Sequence, residues 1–204
     1  MTALLTAISQ HILLAYTGFL ISAVIGIAGG IVALRFRPVK TALLGFTSLL
    51  QAIPAFTLVA LMVPFLGIGF VPALAVIVAS TVLPVVRNTI TGLSSTDPVL
   101  IEGATGLGMT WNQILVRVRF PLGIAPIFSG LRLSSIVANA GAIMTVFIGS
   151  GGLGTIILEG LVRFHPPGIL AGVIPAIGIA LTADLMLIFL EKKMTPLQVS
   201  SGTK

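Results

Sequence analysis

The chain has 204 residues, 56% of them hydrophobic and only 8% charged, with no cysteine and a formal net charge of +6. A soluble domain averages about 25% charged residues, so this chain cannot cover a globular surface with polar groups, and lipid must be part of its solvent. The lack of cysteine excludes disulfides and thiolate metal sites, and whether the positive balance means nucleic acid or acidic lipid depends on where the charges sit.

The first ten residues, MTALLTAISQ, carry no basic region and do not read as a cleaved signal peptide. A membrane helix needs about 20 apolar residues. The first such span is expected at about 12–34, closed by Arg35, Arg37 and Lys40. From Thr41 to Val86 no side chain is charged. That run is too long for one crossing, and VPFLGIGFVP (63–72) supplies the glycine and proline for a turn. Spans two and three are therefore placed at 41–63 and 70–86. Pro54 should kink span two, and Gln51 beside it can line a pathway or bond another helix. Gly26, Gly29 and Gly30 in span one allow close helix contact.

After Arg87 comes a polar segment, 97–121. Asp97-Pro98 is a helix start, with Asp as the cap and Pro in the first position. This helix should run to about Leu107 and stop where Gly106 or Gly108 turns left-handed. Thr110 to Gln113 fits a capping box, so a second helix begins there and enters the membrane at Pro121. Span four is expected at 122–148, followed by the glycine-rich GSGGLG (149–154) and an outer loop holding Glu159, Arg163 and His165. Span five is expected at 169–190, closed by Glu191, Lys192 and Lys193.

Five spans explain the charge. Arg35, Arg37, Lys40, Arg87, Arg117, Arg119, Lys192, Lys193 and Lys204 all fall on one side. Positive residues concentrate in cytoplasmic loops, which puts the N-terminus outside and the C-terminus inside. Arg163 falls on the other side and Arg132 within a span. The +6 is then orientation and not a nucleic-acid footprint.

The polar segment carries a resemblance. EGATGLGMTWNQILVRVRFP (102–121) resembles the "EAA" signature of ABC importer permeases: Glu-Ala-Ala, three residues, Gly, nine residues, then Ile-x-Leu-Pro. Glu102, Ala104, Gly108 and Pro121 fall on that spacing; Gly103 replaces an Ala, and Val118 and Phe120 stand in for Ile and Leu. QAIPAFTLVALMVP, LPVVRNTITGL, FIGSGGLG and IPAIGIALTADLMLIFLEKKMTP extend the likeness over about 12–197. Together they look like permeases of glycine betaine, choline and carnitine importers. Methionine-type permeases share the EAA segment and the GxGGLG loop but match the second span and the ending less well.

The resemblance implies an all-α membrane fold of the type I importer class, forming one permease domain in a bacterial or archaeal inner membrane. It implies that the helix around Glu102 docks in a groove of a cytoplasmic ATPase. Small residues at Gly103 and Ala104 would allow close approach, Glu102 would offer a carboxylate, and Gly108 would set the angle to the next helix. No chemistry is then expected in this chain; ATP and Mg bind the partner ATPase. A separate solute-binding protein would deliver the solute, and its aromatic residues would hold a quaternary ammonium by cation–π contact. Five helices are too few to enclose a pathway, so a second copy is expected about a two-fold axis, or a related permease in its place. The alternatives are a permease for another solute, such as a methionine-like one, or an ATP-independent channel or secondary transporter. The last lacks support from an inverted repeat or from several intramembrane ionisable residues.

Other residues have simpler readings. Arg132 and Asp184 lie in spans four and five, both toward the inner side, where they can pair structurally. His11 is expected at the interface and His165 in the outer loop. Neither has the companions of a metal site or a nucleophile. GSGGLG lacks the Lys-Ser/Thr of a phosphate loop and reads as a turn beneath the solute-delivery surface.

Overall fold

The computed structural model describes residues 2–195; Lys204 and the expected domain end at 197 lie outside them. The described residues are helical throughout, with no strand. Helix α1 spans Thr2–Arg35, α2 Arg37–Ala52, α3 Ala55–Leu66 and α4 Phe70–Ser94. Helices α5, Pro98–Gly106, and α6, Trp111–Ile114, follow; then a π turn, Leu115–Arg119, leads into α7, Phe120–Met144. A 3-10 turn, Thr145–Ile148, precedes α8, Leu153–Val162, and α9, Pro166–Met194. Four helices are long and apolar enough to cross a membrane: α1, α4, the run from α6 through α7, and α9. Counted as one broken span, the bent pair α2–α3 makes a fifth.

Four expectations need correction. The helix of the first span begins ten residues before 12, because Leu4, Ala7 and Ile8 continue the buried stripe of α1. At 34 residues and about 1.5 Å per residue, α1 is about 50 Å long and must project beyond the lipid core. The second span is not merely kinked. It is two helices bent by 101°. Pro54 has no N–H to give the ladder and holds Ile53 extended (φ −76°, ψ 123°), so the helix stops there and restarts. The helix of the third span does not stop at Val86; α4 carries Arg87 and continues to Ser94. Finally, the outer segment read as a loop contains α8, whose ten residues are too few to cross.

The core is the packing of α1, α4 and α7. Gly18, Ser22, Gly26 and Gly30 form one ridge of α1. They face Ile77, Thr81, Val85 and Thr89 of α4 at a constant offset of 59 positions. Both ridges step by four residues, and the constant offset means that the helices run parallel. A Cβ on Gly26 would lie 2.6 Å from the Val85 Cβ, so glycine there sets the helix separation. Gly29 faces Leu43 of α2 instead. Helix α7 runs antiparallel to α4: Gly123 meets Gly92, and Gly130 meets Asn88 and the Pro84 carbonyl. Helix α9 packs antiparallel on α7 and α8 and touches α1 through Tyr16, whose hydroxyl donates to the Ile179 carbonyl; most of its surface is exposed.

Candidate functional site

The EAA-like segment folds as its capping residues dictate. Asp97 accepts a hydrogen bond from the Val99 N–H at 2.9 Å and starts α5 at Pro98. The end of α5 is a left-handed closure: Gly108, at φ +79°, donates to the Thr105 carbonyl, and Met109 to the Ala104 carbonyl. Gly106 remains helical. Both halves of the capping box form: Thr110 N–H donates to Gln113 Oε1 at 2.8 Å, and Gln113 N–H to Thr110 Oγ1 at 3.4 Å. From Trp111 the chain stays helical into α7 through the π turn, in which Phe120 N–H reaches back to the Leu115 carbonyl. Pro121, which has no N–H, follows directly.

The exposures on α5 divide the four residues of the expected coupling set. Glu102 and Gly103 are exposed, and so is Gly108. Ala104 is buried at 7% exposure, so it does not offer a small contact surface to a partner; it packs inward. The outward face is Leu100, Gly103 and Leu107, with Val99 and Gly106 beside them, and Leu107 is 85% exposed. A Cβ at Gly103 or Gly106 would meet nothing within 4 Å. Glycine weakens a helix by about 1 kcal/mol relative to alanine, and no packing within the chain requires it at either place.

Two arginines fasten this segment to the membrane helices. Arg119 Nη1 donates to the Leu93 carbonyl at 2.6 Å, satisfying a free carbonyl in the last turn of α4. The Arg35 guanidinium, at the end of α1, lies 5.2 Å from the Trp111 ring centroid, within cation–π range. Arg35 and Arg119 therefore have partners in addition to their place in the charge pattern.

Within the spans, Arg132 and Asp184 pair as expected. Arg132 Nε donates to Asp184 Oδ1 at 2.7 Å, and Nη2 to Oδ2 at 3.1 Å, a two-pronged bond between α7 and α9. Gln51 and Pro54 are exposed at the α2–α3 break. They are not brought together with the ion pair or with α5.

His11, expected at the interface, packs inside the protein whatever its depth. It is fully buried and donates from Nε2 to Asn139 Oδ1 at 2.9 Å; Asn139 in turn donates to the Ala176 carbonyl at 3.3 Å, linking α1, α7 and α9. A second buried network joins Ser22 to Thr81 at 2.7 Å, with Ser134 Oγ donating to the Thr81 carbonyl. The signal for both was the presence of small polar residues in apolar spans, but the partners are far apart in sequence. At the end of α7, Gly149, Gly151 and Gly152 all take positive φ, and Gly152 N–H donates to Gln10 Oε1 at 3.1 Å. There an open cleft of about 520 Å³ is lined by Thr2, Thr6, Gln10, Gly152, Thr155 and Glu159.

Comparison with known proteins agrees with this arrangement. Residues 12–196 match the family model described as "Binding-protein-dependent transport system inner membrane component". The chain is 36% identical over 187 residues to the carnitine transport permease protein OpuCB of Listeria monocytogenes, covering 92% of this chain and 86% of that one. It is 34% identical over 194 residues to the glycine betaine/carnitine/choline transport system permease protein OpuCB of Bacillus subtilis (strain 168), covering 95% and 89%. In fold it is similar to a chain of the inward-facing MetNI methionine ABC transporter, with a TM-score of 0.87 at 18% identity, covering 96% of this chain and 98% of that one.

Proposed function

We propose, for a chain that belongs to the family of binding-protein-dependent transport system inner membrane components and is thus a multi-pass permease subunit, that it imports a quaternary-ammonium osmoprotectant on energy from a separate ATPase. The solute class rests on the relatives, whose names specify carnitine, choline and glycine betaine. The coupling role rests on the outward face of α5. A capped helix presents Leu100, Gly103, Gly106 and Leu107 with no contact from its own chain to fill the space over its glycines. A partner groove can then approach the backbone closely at Gly103, with Glu102 at its edge to meet a donor of the ATPase. Ala104 supports the helix from behind, and Gly108 fixes the angle between α5 and the rigid run into α7. ATP binds and is hydrolysed on the partner, and this chain carries the motion.

The described spans alternate through the membrane, and the basic residues of the α1–α2 junction, the α4 end and the α9 end collect with α5 on one side. We take that side as cytoplasmic, with the N-terminus outside. A second copy, or a related permease, completes the pathway, and the α2–α3 break at Gln51 and Pro54 faces it. A separate binding protein delivers the solute at the GSGGLG end.

The test uses the permease assembled with its ATPase in vesicles containing the binding protein and solute. Gly103→Arg and Gly108→Val should leave the yield of the permease near wild type while solute-stimulated ATP hydrolysis falls together with transport. A β-branched residue in the left-handed region at Gly108 is a conformational outlier. Ala104→Arg, at a buried position, should instead lower the yield of the permease itself. Wild-type hydrolysis by both the Gly103 and Gly108 variants would remove α5 as the coupling element.

A further inference from the structure

Two helices of this chain close with the same pair of hydrogen bonds, and only one of them uses glycine. Helix α5 closes at Gly108. Helix α8 closes at Phe164: its N–H donates to the Leu161 carbonyl at 3.2 Å, and His165 N–H donates to the Gly160 carbonyl at 2.9 Å. This closure requires a left-handed residue, which is ordinarily glycine and sometimes asparagine. Phe164 sits there at φ +49°, the one non-glycine residue with positive φ among the described residues. A bulky side chain in that region is an outlier.

Packing does not offset the strain. The Phe164 side chain is 92% exposed, the most exposed large hydrophobic residue among those described. The turn would close more easily with glycine, and the core does not touch the ring. Strained residues of this kind persist where the strained geometry is used.

The place of Phe164 indicates the use. Helix α8 lies antiparallel to the start of α9, with Gly160 against Ile169 and Ile157 against Gly172. Residues 163–165 are therefore the apex beyond the apolar part of α9, flanked by Arg163 and His165. This is the end of α7 opposite to α5. The same end holds the cleft lined by Thr2, Thr6, Gln10 and Glu159, and Glu159, Arg163 and His165 are exposed there, polar and charged groups that belong in water.

We infer that Phe164 is an anchor for the solute-binding protein, a ring held out on a tight turn to enter an apolar notch of that soluble partner. This rests on the importer reading given above. The hydrogen-bonded turn fixes where the ring projects, and a single aromatic anchor can carry much of an interface's affinity.

The experiment uses the complete permease–ATPase complex in lipid nanodiscs. The partner is the solute-loaded binding protein that restores uptake to wild-type complexes in vesicles. Phe164→Gly removes the ring and the strain together. It should melt at the wild-type temperature or above, while affinity for the binding protein falls about tenfold or more. Phe164→Trp should bind close to wild type. Unchanged affinity in Phe164→Gly overturns the inference and leaves the ring as a membrane-interface residue. A lowered melting temperature in Phe164→Gly also overturns it, since the ring is then structural. A wild-type complex that binds no solute-binding protein fails at the importer reading itself, and this inference falls with it.

Discussion

The α4–α7 contact brings backbone against backbone, and it yields a quantitative expectation for Gly123→Ala. A Cβ at Gly123 would lie 2.7 Å from the Gly92 carbonyl oxygen, 2.8 Å from its carbon and 3.2 Å from the Leu93 nitrogen. All three are backbone atoms, so no side chain can swing aside. Ordinary approaches are about 3.3–3.6 Å for carbon to oxygen and about 3.5–4.0 Å for carbon to carbon, so the helices must separate locally by roughly 0.6–1 Å. A gap of that size forfeits about a quarter to a half of each affected dispersion contact. Overpacking of this kind costs about 1–3 kcal/mol, and the better helix propensity of alanine returns about 1 kcal/mol. The net against wild type is a loss of about 0–2 kcal/mol, or up to about 8 °C in melting temperature for a chain of this size, and against a glycine-to-alanine change in open space the full cost of about 1–3 kcal/mol remains. Gly45→Ala is the control, because its Cβ would meet nothing within 4 Å; it should be neutral or slightly stabilising. Thermal unfolding of both variants in nanodiscs, followed by size-exclusion of a fluorescent fusion, measures the difference. A Gly123→Ala protein that melts as high as Gly45→Ala would refute the idea that glycine sets the α4–α7 separation.

Asp184→Asn removes the acceptor charge from the two-pronged bond to Arg132. It should reduce the amount of assembled permease, while surviving complexes keep their solute preference; normal yield with altered preference in uptake assays would place Asp184 on the pathway. Because the chain has no native cysteine, Thr195→Cys reports topology directly. It should resist an impermeant reagent added outside intact cells, and rapid labelling would reverse the assigned orientation.

The sequence by itself determined the solvent, the existence of several apolar helices and the local fold of the EAA-like segment. Charge-free runs longer than a crossing dictate membrane helices, and the pattern of their basic flanks supplies the expected orientation that Thr195→Cys tests. Asp97, Thr110 and Gln113 act within a few residues, so their caps were legible from local chemistry and formed as expected. The pairing of Arg132 with Asp184 was legible because two isolated charges in apolar spans have few other ways to be satisfied.

Tertiary structure decided whatever depends on which side of a helix faces which neighbour. Ala104 lies beside Gly103 in sequence, yet the first is buried and the second is open, because neighbouring residues on a helix point about 100° apart. His11 showed no partner in the sequence because Asn139 lies 128 positions away. The ridge of Gly18, Ser22, Gly26 and Gly30 announces close packing, but only the fold shows that α4 fills it. Pro54 predicts a disturbance and not a 101° break; the size of the bend depends on what the two half-helices pack against. Short-range hydrogen bonding and the cost of charge in lipid act through neighbours in sequence, whereas burial is settled between segments far apart along the chain.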